Sequence, residues 1–149
     1  MTKKAPAAKK IVNRRARFDY ELGDSLLVGL ALTGAETKAL RMGHGQLTGA
    51  YVTVKDEELW LVNAAINSSA GVIIPEDEQT RSRKLLAKRR EINQLIAARQ
   101  QGKTIVPLEI ATSGRYIKLR LAPGKGKRLY DKRETLKRRQ QEREAKSLK

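Results

Sequence analysis

Few residues in this 149-residue chain are of the types that do covalent chemistry. There is no cysteine, which removes thiol nucleophiles, thiolate metal sites and disulfides together. The single histidine, His44, sits between Gly43 and Gly45. A Ser-His-Asp relay would rest on it alone, and a surface turn residue is the simpler reading. Gly124-Lys125-Gly126-Lys127-Arg128 lacks the spacing and the strand-to-helix setting of a phosphate-binding loop. No His, Asp or Glu cluster has metal-ligand spacing, and the acids at 56–58 and 76–78 read as solvated turns. What the chain has in abundance is positive charge: 32 Lys and Arg against 16 Asp and Glu, a formal net charge of +16. Such side chains neutralise phosphates, each contact contributing about 0.7–0.9 to the salt slope of binding. Aromatic rings that can stack on bases, at about 1–3 kcal/mol each, are Phe18, Tyr20, Tyr51, Trp60, Tyr116 and Tyr130. Phe18, Tyr51 and Trp60 suit strand or core packing equally well. Tyr130 follows a Gly/Lys stretch and lies among charges, where no core can claim it.

The charge is concentrated at the two ends. Residues 1–20 carry a net +6 and residues 123–149 a net +7, leaving +3 for everything between. The middle therefore has an ordinary globular composition, with a basic arm on either side of it. Such arms seek nucleic acid or acidic surfaces. No apolar run approaches the ~20 residues of a membrane span, and no apolar stretch follows the basic N-terminus as a secretory signal would require. A soluble protein that meets polyanions is the inference. Without the arms, 111 residues remain (13–123), enough for one core without staples.

The elements that must position these groups are mostly strands. Leu26 to Leu32 reads as a buried strand, with Gly29 a bulge or a point of close approach. Tyr51–Lys55 and Glu58–Ile66 form a hairpin across Asp56-Glu57. A weaker strand covers Gly71 to Ile74. Thr104–Ile110 is a strand that must be an edge or bulged at Pro107, which cannot donate to a ladder. Tyr116–Leu121 alternates, with Ile117, Leu119 and Leu121 inward. Two helices interrupt them. One runs from Gly34 to Met42, with Thr33 and Glu36 as a capping box. The other spans Ser82 to Gln101, with an apolar stripe of Leu85, Ile92, Leu95 and Ile96. Consecutive short strands favour a small antiparallel barrel or sandwich over a parallel sheet. Pro123 to Lys127 reads as a flexible linker. Beyond it, Asp131 to Lys149 has strong helix formers and almost nothing to bury, so this helix should be marginal alone and form against a polyanion. On composition, the chain is an RNA-binding barrel with a mobile basic tail. A structural ribosomal protein shares that description, and a nuclease would need a metal site.

Specific strings carry the reading further. Asn13-Arg14-Arg15-Ala16-Arg17-Phe18-Asp19-Tyr20, Gly29 through Arg41, Arg81-Ser82-Arg83-Lys84-Leu85-Leu86, Val106-Pro107-Leu108 and Leu129-Tyr130-Asp131-Lys132-Arg133-Glu134 together resemble the SmpB family of SsrA-binding proteins, in family order over about residues 11–145. The resemblance implies a mainly β fold: a small antiparallel OB-like barrel over residues 13–122 with peripheral helices. It implies an N-terminal arm, residues 1–12, and a basic tail, residues 123–149, disordered when free and helical on the ribosome. It implies an adaptor rather than an enzyme, with no catalytic residue, metal or cofactor. The partners would be transfer-messenger RNA, the ribosomal decoding centre and empty mRNA channel, and elongation factor Tu through the shared RNA, for a cytoplasmic monomer. By position, the RNA-binding residues would be Asn13, Arg14, Arg15, Arg17, Tyr20, Glu36, Lys38, Arg41, Lys125 and Lys127. Glu36 has two readings, an acceptor for RNA edges and a helix cap. Tyr130 would stack in the decoding centre, Lys132 and Arg133 would meet rRNA phosphates, and Asp131 would cap the helix or orient them. The chain departs from the family pattern at Ala35, Thr37, Ala39 and Lys88, and the segment from Ala122 to Tyr130 is two residues longer.

Overall fold

The computed structural model describes residues 10–147 except positions 70, 113 and 128, without the side chains of 129–132, 134, 135, 146 and 147. In chain order the elements are β1 (Ile11–Val12), α1 (Ala16–Asp19), β2 (Tyr20–Leu22), β3 (Leu26–Leu30), α2 (Gly34–Arg41), β4 (Gly45–Gln46), β5 (Tyr51–Lys55), β6 (Glu58–Val62) and β7 (Ala65–Ile66). A 3-10 turn at Glu76–Glu78 follows, then β8 (Arg83–Leu86), α3 (Arg89–Gln100), β9 (Thr104–Ala111), β10 (Lys118–Gly126) and α4 (Leu129–Ser147). Six strands pair in the order β9-β5-β6-β8-β3-β10, and β10 pairs back onto β9. This closes an antiparallel barrel in which each of the six strands has a partner on both sides. β1 adds to β9, β2 adds to β10, and β4 with β7 makes a separate ribbon.

Alternation decides what fills the barrel. Leu59 and Leu61, Leu85, Ile110, Leu119 and Leu121 all point inward and are buried, joined by Leu40 from α2 and Ile92 and Leu95 from α3. The β5–β6 hairpin turns on Asp56 and Glu57, both at positive φ (53° and 60°), the two-residue geometry that matches strand twist. At Pro107 the ladder slips as expected: Arg120 faces Glu109 but Leu121 faces Pro107, leaving Leu108 as the extra residue of a bulge. Gly29 is a close approach, its missing Cβ standing 3.2 Å from the Leu86 Cβ.

Several expectations are corrected. The long helix starts at Arg89, not Ser82. Residues 83–86 are instead the strand that bridges β3 and β6, because barrel closure outweighs their helical propensity. Glu91 accepts from the Lys88 N–H at 3.1 Å, and Gly102 at φ 88° ends the helix. The second hairpin arm breaks at Asn63, which takes φ 64°, so Ala65–Ile66 leaves the barrel to pair with β4. Gly71 to Ile74 is no strand; only a bridge between Ser69 and Val72 survives, and Ile73 is exposed. The last barrel strand begins at Lys118 rather than Tyr116 and continues through the supposed linker, with Gly124, Lys125 and Gly126 facing Leu22, Glu21 and Tyr20. Likewise Ile11–Val12, assigned to the N-terminal arm, is a strand with Ile11 buried.

Candidate nucleic-acid interface

The Pro107 bulge leaves two carbonyls turned out of the ladder, and Asn13 takes both. Its backbone N–H donates to Leu108 O at 2.8 Å and its Nδ2 to Pro107 O at 2.9 Å. This fixes where the chain leaves β1, and Ala16, buried, anchors the short helix α1 that follows. Arg15 reaches the Asp19 carboxylate at 3.4 Å and lies 5.0 Å from the Phe18 ring centroid, so its charge is held on the surface by an acid and a ring. Tyr20 then enters β2 opposite Gly126, Glu21 faces Lys125, and the Lys127 N–H donates to Asp19 O at 2.9 Å. Residues from the two ends of the sequence thus meet at one corner of the barrel. Asn13, Arg15 and Tyr20 line a cleft of about 500 Å³ with Tyr51 across it. Arg14 lines a neighbouring cleft with Lys10 and Gly43, and Thr48 borders both. Arg17 lines a third, with Arg120 and Glu109.

Helix α2 is tied down by a buried ion cluster. The Thr33 hydroxyl accepts from the Glu36 N–H at 3.2 Å, and Glu36 Oε1 accepts from the Thr33 N–H at 2.9 Å, the capping box read from the sequence. The same carboxylate, 2% exposed, also pairs with Arg81 through Oε1 and with Arg83 Nε at 2.7 Å through Oε2. Arg83 is fully buried on the inward side of β8, and all five of its N–H groups find acceptors: Glu36, then Ala64 O at 2.7 Å, Arg81 O at 3.1 Å, Glu78 O at 3.2 Å and Gln79 O at 3.0 Å. Burial works to raise the Glu36 pKa. Hydrogen bonds from Arg81, Thr33 and Arg83 outweigh it and leave the carboxyl below its ordinary value. Burial lowers the Arg83 pKa, opposed by Glu36. At the helix's other end, Arg41 donates to the carbonyls of Thr112, Gly114 and Arg115, each at 3.0 Å. Lys38 is exposed. Among the described residues no group of three His, Asp or Glu is placed to hold a metal, and no helix is long and apolar enough to cross a membrane.

The sequence profile of the SmpB protein family matches residues 10–149. This chain belongs to the SmpB family. It is 48% identical over 134 residues to the SsrA-binding protein of Sphingomonas elodea, covering 89% of this chain and 84% of that one. It is 43% identical over 148 residues to that of Trichormus variabilis, covering 97% and 95%. Among solved structures, it is similar to a chain of "tmRNA-SmpB: a journey to the center of the bacterial ribosome", with a TM-score of 0.66, 37% identity, and coverage of 85% and 94%. The SmpB fold is therefore the closed barrel described above.

Seen as an SmpB surface, the residues named from the sequence fall into two kinds. Arg14, Arg15, Arg17, Lys38 and Lys125 carry exposed charge. Asn13, Glu36 and Arg41 bond to the protein's own backbone and, for Glu36, to Arg81 and the buried Arg83. Of the two readings of Glu36, the structure displays the cap. Tyr20, Lys125 and Lys127 are brought to the Asn13–Arg15 corner, while Lys38 and Arg41 sit on α2. Arg133 is exposed on α4, which starts two residues earlier than expected and lies against α1, with Arg139 5.9 Å from the Phe18 ring centroid. The side chains of Tyr130, Asp131 and Lys132 lie outside the described residues. Sequence reasoning missed Arg81 and Arg83 as site-builders. The signal that finds Arg83 is strand alternation, Arg83 and Leu85 in, Lys84 and Leu86 out, together with one buried acid in need of a partner.

Proposed function

We propose that this SmpB-family chain is an adaptor of ribosome rescue. Its barrel binds the tRNA-like part of transfer-messenger RNA, and its tail enters the decoding centre and empty mRNA channel of a ribosome stalled without a stop codon. The observation that carries this reading is the barrel corner where Asn13–Tyr20 meets Lys125 and Lys127. Arg15, Asp19, Tyr20 and Tyr51 line one cleft there, and the tail helix leaves from the same corner. In this scheme Arg14, Arg15, Arg17, Lys38, Lys125 and Lys127 meet RNA phosphates and Tyr20 offers a stacking face. Asn13 orders the turn that presents them. Glu36 holds Arg81, whose side chain is 34% exposed, toward the RNA. Tyr130, Asp131, Lys132 and Arg133 meet the decoding centre. The covalent chemistry of tagging belongs to the ribosome, so the chain is no enzyme; it acts as a cytoplasmic monomer beside elongation factor Tu on the same RNA.

Binding to the tRNA-like part of transfer-messenger RNA should be measured against ordinary tRNA and an unrelated duplex at about 0.2 M salt, where the phosphate contribution is much reduced. A strong preference for the tRNA-like RNA is expected. Equal, salt-sensitive binding to all three would leave only a general basic RNA binder. Removing residues 128–149, which spares β10, should leave that binding nearly intact and abolish tagging of stalled peptides.

A further inference from the structure

Among the described residues, Tyr116 is the most exposed aromatic. It lies in the loop between β9 and β10 with 67% of its surface exposed, although it is flanked in sequence by the buried Ile117. An exposed ring on a floppy loop would be unremarkable. This loop is clamped: Arg41 donates to the carbonyls of Thr112, Gly114 and Arg115 from the end of α2, and α2 is itself fixed by its capping box and the Glu36 cluster. Arg115 then lies 5.6 Å from the Tyr116 ring centroid, close enough for a cation–π contact that restrains the ring. A large amphipathic ring held in place before its partner arrives, with a guanidinium beside it, matches how proteins seat an unstacked base.

We infer that Tyr116 is a stacking site for an unpaired base of the tRNA-like part of transfer-messenger RNA, and that Arg41 is a positioning residue for it through the loop backbone rather than a phosphate contact. The inference rests on the proposed function and deepens it. Two placements favour the delivered RNA as the source of the base. Arg41 and Lys38 share α2, so the loop adjoins a surface already assigned to that RNA. The loop also precedes Lys118, and from there β10 runs to Gly126, eight residue steps or about 26 Å along the strand. The tail leaves from the far end. With the tail in the mRNA channel, the Tyr116 end lies away from that channel, on the side open to the RNA being delivered.

The test is the affinity of the full chain for the tRNA-like RNA, measured across a salt series for wild type, Tyr116→Phe, Tyr116→Ala and Arg41→Ala. Tyr116→Ala should bind about fivefold or more weakly, the range for loss of one stacked base, with the salt slope unchanged and the melting temperature kept. Tyr116→Phe retains the ring and should bind like wild type. Arg41→Ala should weaken binding at an unchanged salt slope; a slope reduced by about 0.7–0.9 would show a phosphate contact and overturn its positioning role. If Tyr116→Ala binds within twofold of a wild type that prefers the tRNA-like RNA, the stacking site is refuted and the adaptor reading stands. If it binds this RNA normally and loses affinity only for ribosomes, the assignment to transfer-messenger RNA is overturned. A wild type with no preference for this RNA overturns both readings together.

Discussion

Replacing Glu36 by Gln removes one charge from the most enclosed ion cluster among the described residues. In the wild type, one carboxylate serves the Thr33 N–H, Arg81 and Arg83, and the Arg83 guanidinium has no exposed surface. The amide keeps one acceptor oxygen and presents an NH₂ group to a guanidinium, so a buried cation loses its counter-charge. Breaking a buried pair from one side costs about 3–5 kcal/mol, a large share of the roughly 5–15 kcal/mol that holds a domain together. The melting temperature should fall by about 10–20 °C, followed by circular dichroism at pH 7. The pH dependence supplies an independent readout. The Glu36 carboxyl ionises more readily in the folded than in the unfolded chain. Its contribution is therefore complete above the unfolded value of about 4.3 and is lost as pH falls through the lower folded value. Wild-type stability should drop in that acid window, and the drop should shrink in Glu36→Gln. Pairing Glu36→Leu with Arg83→Met should recover part of the loss, since no charge is then buried alone. A Glu36→Gln protein that melts within 2 °C of wild type would refute the reasoning. If instead it stays fully stable but loses RNA binding, the carboxylate touches RNA directly.

Two further expectations follow from packing. A methyl group at Gly45 would stand 2.7 Å from Leu40 Cδ2, 2.9 Å from Ile11 Cδ1 and 3.3 Å from Ala65 O. Gly45→Ala should therefore cost about 1–3 kcal/mol by overpacking, and an unchanged urea midpoint would count against it. The side chains described on α4 from Leu136 to Ala145 are all exposed, so nothing buried protects this helix. In the free protein its amides should exchange with solvent far faster than those of β10; protection matching the barrel's would contradict folding coupled to RNA.

How legible was this in the residues? Local chemistry showed through wherever it was sufficient by itself. Thr33 and Glu36 announce a capping box because both partners lie within one turn. Pro107 announces a bulge because it has no N–H to give the ladder. Asp56-Glu57 announces a hairpin between two runs of β-formers. What stayed hidden depends on distant partners. Nothing local tells Arg83-Lys84-Leu85-Leu86 that β3 and β6 wait on either side, and a buried arginine inside a basic string looks like any solvated charge. Pro123-Gly124-Lys125-Gly126 looks like a linker until β2 is placed alongside it. Asn13, read as an RNA contact, also donates to carbonyls more than ninety positions away, a pairing that no spacing rule contains.

The extension of β10 changes the mechanics of the tail. Had the sheet ended at Ala122, the tail would hang from a cord of several residues and its tip would wander through a wide volume. With Gly126 still paired to Tyr20 and the helix beginning at Leu129, only two residues separate a rigid wall from a rod. Nineteen helical residues make that rod about 28 Å long. With so short a connection the start of the tail stays beside the Tyr20 edge of the barrel, and the local concentration of the tail at any target within reach of that edge rises accordingly. The barrel thus sets where the tail's search begins, and the docking of one limits where the other can land.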